Sequence, residues 1–283
     1  MSDYEFVSGW KSDHTIEPEL DLLDVYANHR NIVTNLIIKS APPAGESLCI
    51  LGAGICFDLD LSKLSREFSS ITLLDLKRED VVSGIEYQVK SNGLSREAAD
   101  KIQINGDCDM TGVYGLLKKA NPQSSKQDVD TIAETASKYT PPGFEKYDCI
   151  ASTCVLSQLL FHVHDTISDE HGSFIELLRT IRQRHLEIIV DALNPLGTGI
   201  LITDFVSSDS LEELYSTNDL QKTLQDAIAS QNYLHGLNPA MVSQVLHQEQ
   251  FKSKLKSLQV TTPWRWILKE KIYACFAISF SRI

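Results

Sequence analysis

The 283 residues are 42% hydrophobic and 23% charged, a balance that suits a soluble globular protein of one large domain or two small ones. A formal net charge of −12 and a sequence pI of about 5.1 argue against nucleic acid, because gripping a phosphate backbone needs clustered Lys and Arg. No apolar run approaches the ~20 residues that span a bilayer, and Met1-Ser2-Asp3-Tyr4-Glu5 lacks the basic start of a signal peptide, so a cytoplasmic protein without a membrane partner is expected.

Residues 1–44 read as an N-terminal helical lid, with Tyr26, Ile32, Val33, Leu36 and Ile37 at roughly helical spacing. Ala41-Pro42-Pro43-Ala44-Gly45 breaks that pattern. Residues 45–283 then read as the main domain. The apolar run Ser47-Leu48-Cys49-Ile50-Leu51 stops at Gly52, as a buried parallel strand would. A helix over 59–68 and a second strand, Ile71-Thr72-Leu73-Leu74-Asp75, follow. A helix over 81–92 ends at Gly93, and 102–105 is a third, short strand. Residues near 111–146 are polar and proline-bearing, an insertion with helical pieces and no strand. Tyr147 to Ser152 is a fourth strand, and the stretch after it, with His162 and His164, reads as loop. An amphipathic helix over 174–190 closes on Asn194-Pro195-Leu196-Gly197, and 199–204 is a fifth strand. The basic stretch from Arg179 to His185 reads as one solvated helix face. Residues near 207–255 form a second helical insertion. Strands over 258–268 and 271–281, joined by Lys269-Glu270, form an antiparallel pair.

Strands alternating with helices predict a doubly wound α/β fold: a mostly parallel seven-stranded sheet with a reversed C-terminal strand, helices on both faces and helical insertions. The six cysteines at 49, 56, 108, 149, 154 and 275 form no C-x-x-C pair and read as reduced thiols rather than disulfides or a metal site. No metal is expected.

Strand, Gly52-Ala53-Gly54, helix is the core of a nucleotide-type site. The glycines turn tightly and let a ligand approach the backbone, and the following helix end offers free N–H groups. Asp75, at the tip of the next strand, can accept two hydrogen bonds from ribose hydroxyls. A dinucleotide fingerprint wants glycine at position 57, where Phe57 stands.

These segments resemble the class I, Rossmann-like S-adenosylmethionine-dependent methyltransferases. Leu51-Gly52-Ala53-Gly54-Ile55-Cys56 looks like their first motif, with Ile50 where many members carry an acid. Asp75, beside Leu76, matches their ribose-binding acid. Asn105-Gly106-Asp107-Cys108-Asp109 looks like their third motif, whose acid meets the adenine amine; Asp107 fits the general spacing, whereas Cys108-Asp109-Met110-Thr111 resembles small-amine N-methyltransferases. Tyr147 to Leu156 is similar to the fourth-strand motif, and Pro195-Leu196-Gly197-Thr198-Gly199 to the turn before strand five. The resemblance spans roughly residues 45–205 and 257–282. It implies S-adenosylmethionine as cofactor, S-adenosylhomocysteine as product, and Gly52, Ala53, Gly54, Asp75, Leu76, Asp107, Cys108, Asp109, Ser152 and Thr153 as cofactor-binding residues.

Methyl transfer is an in-line displacement on an already activated carbon, so the protein positions and desolvates the reactants. A general base helps only when the acceptor must lose a proton. The acceptor belongs beyond strands four and five, which makes Asp204, His162 and Tyr26 the candidate catalytic groups. Tyr26, His29, Arg30, Tyr233, His235 and Asn238 lie on the expected covers. Trp264 and Trp266 flank Arg265 on a strand, with one face in the core. The fourth-strand motif is not Asn/Asp-Pro-Pro-Tyr, so the expected acceptor is a small molecule methylated on O, N or C. A homodimer stays open. Two other readings remain: a nicotinamide-dependent oxidoreductase and a non-catalytic binding protein on the same fold.

Overall fold

The computed structural model describes residues 22–43, 45–142, 144–268 and 270–283, so the first half of the expected lid lies outside the described residues. Its strands are β1 (Ser47–Leu51), β2 (Ser70–Leu74), β3 (Gln103–Asn105), β4 (Tyr147–Thr153), β5 (Leu193–Ser207), β6 (Leu255–Val260), β7 (Trp264–Leu268) and β8 (Lys271–Arg282). The sheet runs β3-β2-β1-β4-β5-β8-β6, with β7 also paired to β8. The first five strands are parallel. Strand β8 runs against β5. This is the expected α/β fold with its reversed C-terminal strand.

Alternation along each strand feeds two helical layers, because successive side chains point to opposite faces. Cys49 and Leu51 join the core under one layer, and Leu48 and Ile50 the core under the other. Each such fully buried aliphatic side chain contributes about 1.5–3 kcal/mol. One layer holds α1 (Leu22–Ser40), α2 (Leu61–Glu67), α3 (Arg78–Ser91) and the short α4 (Arg96–Ala99). The other holds α5 (Tyr114–Leu117), α6 (Lys126–Lys138), α7 (Val155–Thr166), α8 (Phe174–Asp191), α9 (Leu220–Ala229), α10 (Pro239–Leu246) and α11 (Glu249–Lys252). The helix starts follow from side chains that satisfy free N–H groups. Asp60 accepts from Lys63 N at α2. Ser125 and Asp128 form a capping box at α6. Asn238 caps α10, with Pro239 in its first turn. Among the described residues, no helix is long and apolar enough to cross a membrane.

Four expectations change. The run 258–268 is not one strand: β6 and β7 occupy one lane beside β8, interrupted at 261–263, where Pro263 has no N–H for the ladder. The sheet therefore has eight strands in seven lanes. Strand β5 begins at Leu193, and Asn194 to Gly197 is a bulge inside it, with Leu196 at φ +65°. The stretch after β4 is helix α7, so His162 and His164 are helical and half-buried rather than loop residues. The Arg179–His185 stretch is not a solvated face: Arg182 and His185 are buried, and the Arg182 guanidinium donates to Gly236 O at 2.9 Å. All six cysteines are free and buried.

Candidate active site

The C-terminal tips of β1, β2 and β3 and the loops after them carry the sequence motifs. Gly52 turns the chain at φ +76°, and a Cβ there would sit 2.7 Å from Val155 Cβ, so the position admits only glycine. The N–H groups of Gly52 and Ala53 both donate to Leu74 O, at 3.0 and 3.1 Å, which tie the turn to β2. Gly54, at φ +49°, has open space where a side chain would lie. Its N–H donates to Asp75 Oδ2 at 2.8 Å, and Lys77 N–H donates to Asp75 Oδ1 at 3.0 Å. Each carboxylate oxygen keeps a lone pair for another donor. Burial raises the Asp75 carboxyl, against the pull of the Lys77 and Gly54 N–H groups.

At β3 the two candidate acids part. Asp109 accepts from Thr111 N at 2.8 Å, Thr111 Oγ1 at 2.6 Å and Tyr114 N at 2.9 Å, so its carboxylate is spent on closing its own turn. Asp107 is exposed at φ +56°, with no hydrogen bond or ion pair to its carboxylate among the described residues. Cys108 N–H donates to Asp75 O at 3.0 Å, which joins the two tips. Met110 is buried beside Cys108. At β4, Thr153 Oγ1 donates to Gly52 O at 3.0 Å and braces the glycine turn, while Ser152 Oγ pairs with the buried His185 Nε2 at 2.8 Å, on the α8 side.

Sequence reasoning missed two residues here. Gln88 on α3 is fully buried. Its Nε2 donates to Cys56 O and Leu59 O at 2.7 and 2.9 Å, and its Oε1 accepts from Leu61 N at 2.9 Å. One side chain thus fixes the loop between the glycines and α2, and only its position on the inner face of an amphipathic helix hinted at it. Asp58, in that same loop, has its carboxyl pushed up to about 7 by burial and by the Asp75 charge, opposed by a backbone hydrogen bond and by Arg30.

The tips of β4, β5 and β8 form a second group under α1. Asp204 is buried and accepts from Ser157 Oγ at 2.5 Å. It pairs across the sheet with Cys275. Burial raises its carboxyl, against that hydroxyl. Burial also raises the Tyr26 phenol, and Asp58, Cys154 and Tyr273 raise it further. Asp204 is likewise a neighbour of Cys154 and Tyr273. Tyr26 and Asp204 therefore face one region. His162 does not join them: it stacks on Tyr114, ring centroids 5.1 Å apart, near Asp109.

Helix α1 is fastened over this region by bonds that include Arg30 Nη1 to Phe57 O at 3.2 Å and Asp60 N to Thr34 Oγ1 at 2.9 Å. Rings complete the cover. Tyr26 packs edge-on to Phe57 at 5.7 Å and against Trp266 at 6.0 Å, and Trp266 lies 5.4 Å from Tyr273. Phe57, read from sequence as a missing glycine, is a packing residue, since α2 starts only at Leu61. Among the described residues, no group of three or more His, Cys, Asp or Glu could hold a metal ion.

No protein-family model matches the chain, and no curated protein is similar to it in sequence. Its fold is similar to several solved structures at low identity. The N-methyltransferase NodS from Bradyrhizobium japonicum WM9 aligns at 14% identity and TM-score 0.45, over 93% of this chain and 99% of that one. The methyltransferase domain of bacterial CtHen1-CN aligns at 13% and 0.45, over 92% and 99%. The plantazolicin methyltransferase BpumL, solved with S-adenosylhomocysteine, aligns at 13% and 0.43, over 93% and 85%.

Proposed function

We propose that the chain transfers a methyl group from S-adenosylmethionine to a small-molecule acceptor. The supporting observation is the alignment of three strand tips: a glycine turn with open space at Gly54, the Asp75 carboxylate bonded to that turn, and the uncommitted Asp107 carboxylate one strand further. The residues fit the cofactor. Gly52 to Gly54 would face its amino-acid part, Asp75 its ribose hydroxyls and Asp107 its adenine amine, while Asp109, Ser152 and Thr153 hold the frame. When bound, the cofactor supplies a methyl group activated on a sulfonium sulfur. The chain's own residues orient and desolvate. Asp75, and Asp58 and Asp204 when they ionise, put negative charge around a site for a cation, which buried surroundings strengthen. The aromatic cover of Tyr26, Phe57 and Trp266 excludes water. Asp204 and Asp58 would take a proton that the acceptor loses, with α1 as the lid.

Calorimetry with S-adenosylmethionine, S-adenosylhomocysteine and NAD tests the reading. Binding of the two sulfur compounds and not NAD is expected; no binding of either at millimolar levels refutes it, and NAD binding instead would favour the oxidoreductase. Asp75→Ala is expected to weaken S-adenosylhomocysteine by about 1.5–3 kcal/mol, the scale of hydrogen bonds to a charged group.

A further inference from the structure

The second group of residues contains two polar atoms that end blind. His29 Nε2 and Trp266 Nε1 are both fully buried, and neither has a hydrogen-bond partner among the described residues. The two rings stack, centroids 4.4 Å apart and planes at 18°. Buried polar atoms without partners are rare, because nothing replaces the water they gave up. Here two of them lie on stacked rings.

The protonation of both atoms follows from chemistry. Trp264 Nε1 lies 3.1 Å from His29 Nδ1. An indole nitrogen only donates, so His29 Nδ1 must be the lone-pair nitrogen. Burial drives the imidazole pKa down to about 3, so the ring is neutral, and its one proton is on Nε2. Trp266 Nε1 is likewise a donor. The pair is therefore two N–H donors, supplied by α1 and β7, with no acceptor among the described residues.

Their surroundings narrow what could accept. Trp266 packs on Tyr26 and Tyr273, the rings over the second group of strand tips. The carboxylates near that region are Asp58 and Asp204; Arg30, bonded to Phe57 O, is the cation beside Asp58. Neutral donors beside carboxylates disfavour an anion, and flat rings favour a flat apolar body. We infer that His29 and Trp266 form the polar end of the acceptor subsite and receive a neutral carbonyl oxygen of a planar, largely apolar acceptor. The inference rests on the proposed methyl transfer for the word acceptor, and on geometry alone for the ligand chemistry. Trp264 is then a positioning residue, which sets the His29 tautomer without touching the ligand.

The test uses the full chain saturated with S-adenosylhomocysteine and three probes with one ring and different heads: acetophenone, benzoate and toluene. The chain has three tryptophans, so its indole N–H resonances are few, and Trp266→Phe assigns the relevant one. Acetophenone is expected to move the Trp266 indole signal and to bind more tightly than either other probe. Trp266→Phe, which keeps a ring, should weaken acetophenone about fivefold, the scale of one neutral hydrogen bond, and leave toluene unchanged. Nitrogen chemical shifts of His29 should report the Nε2–H tautomer in the native chain and a mixture in Trp264→Phe, with acetophenone affinity falling alongside. Equal binding of toluene and acetophenone, a preference for benzoate, a still Trp266 signal with all three, or an Nδ1–H tautomer in the native chain would each overturn the inference. Failure of S-adenosylhomocysteine to bind would sink the methyltransferase reading instead, and the probe titrations on the free chain would still decide this one.

Discussion

The two halves of the candidate site are built on opposite principles. Around the tips of β1 to β3, polar groups are paired: Gly52, Ala53 and Cys108 N–H groups bond to the β2 end, Asp109 closes its own turn, and Gln88 spends three bonds on the loop. Under α1, around Asp58 of the β1 loop and the tips of β4, β5 and β8, titratable groups are buried with fewer partners, and two N–H donors have none among the described residues. The first half has the economy of a frame and the second the strain of a site held ready. Such ground-state cost is what ligand contact would relieve. Substitutions in the two halves should therefore move stability in opposite directions.

The largest expected effect is in the frame. Gln88→Leu fits the volume, leaves Leu59 O and Leu61 N without partners, and leaves Cys56 O only the longer bond from Leu59 N–H at 3.3 Å. A buried group left unsatisfied costs about 1–3 kcal/mol, so a loss of about 3 kcal/mol or more is expected in urea unfolding. A loss below about 1 kcal/mol would mean that water or a shifted loop replaces the amide, and that the frame is softer than drawn.

The opposite sign is expected at Asp58. Its folded pKa of about 7 stands above the unfolded value of 3.8. For a carboxyl raised this way, the folded state resists ionisation, so the penalty is present above pH 7, shrinks as pH falls through 7 and is gone below 3.8. Asp58→Asn should then stabilise the chain at pH 8 by about 2–4 kcal/mol, and the gain should vanish near pH 4. Unfolding curves of both proteins across that range check it. A gain that persists at pH 4 would point to packing rather than charge, and a loss at pH 8 would place Asp58 in the frame. His29, His164 and His185 pull the other way: their pKa values are lowered to about 3, 4 and 4 by burial. Their stabilisation is present above pH 6.5 and lost as pH falls towards those values. Comparing the two chains at each pH cancels that shared background.

The same contrast marks where the sequence was legible. Strands β1 to β5, the glycine turn and Asp75 stood out because each is encoded within a few neighbouring residues, as an apolar run, a glycine pair or an acid at a run's end. The seven lanes of the sheet were also readable. What failed was local chemistry overridden by context. Asn194-Pro195-Leu196-Gly197 has turn composition and became a bulge in β5. Helix α7 has no side-chain cap, since Cys154 precedes it in a left-handed conformation, and so gives no start signal. The half under α1 was the least legible, because one of its contacts joins Trp264 to His29 across 235 positions. No pattern within a window can encode that; the individual rings were visible and their meeting was not.

The smallest effects separate Asp107 from Asp109, which the sequence left unresolved. Both acids stand two residues apart in one motif, and only their hydrogen bonds distinguish them. Asp109→Ala removes an acceptor from Thr111 N, Thr111 Oγ1 and Tyr114 N. Like the loss of a helix cap, this should cost about 1–2 kcal/mol of stability, and S-adenosylhomocysteine affinity should fall only as far as the turn loosens. Asp107→Ala removes an exposed side chain with no bond among the described residues, at φ +56°, so stability should fall by no more than about 1 kcal/mol, the cost of Ala in a left-handed conformation. Its binding of S-adenosylhomocysteine should weaken by about 1 kcal/mol, one hydrogen bond from the adenine amine, while adenine-free fragments of the cofactor bind both chains alike. The reverse result, a stable Asp109→Ala that binds poorly and an Asp107→Ala that binds normally, would move the adenine to the other carboxylate. It would also show that a group can belong to the frame in the unbound protein and to the ligand once bound, and the division between the two halves would then have to be drawn by state rather than by strand.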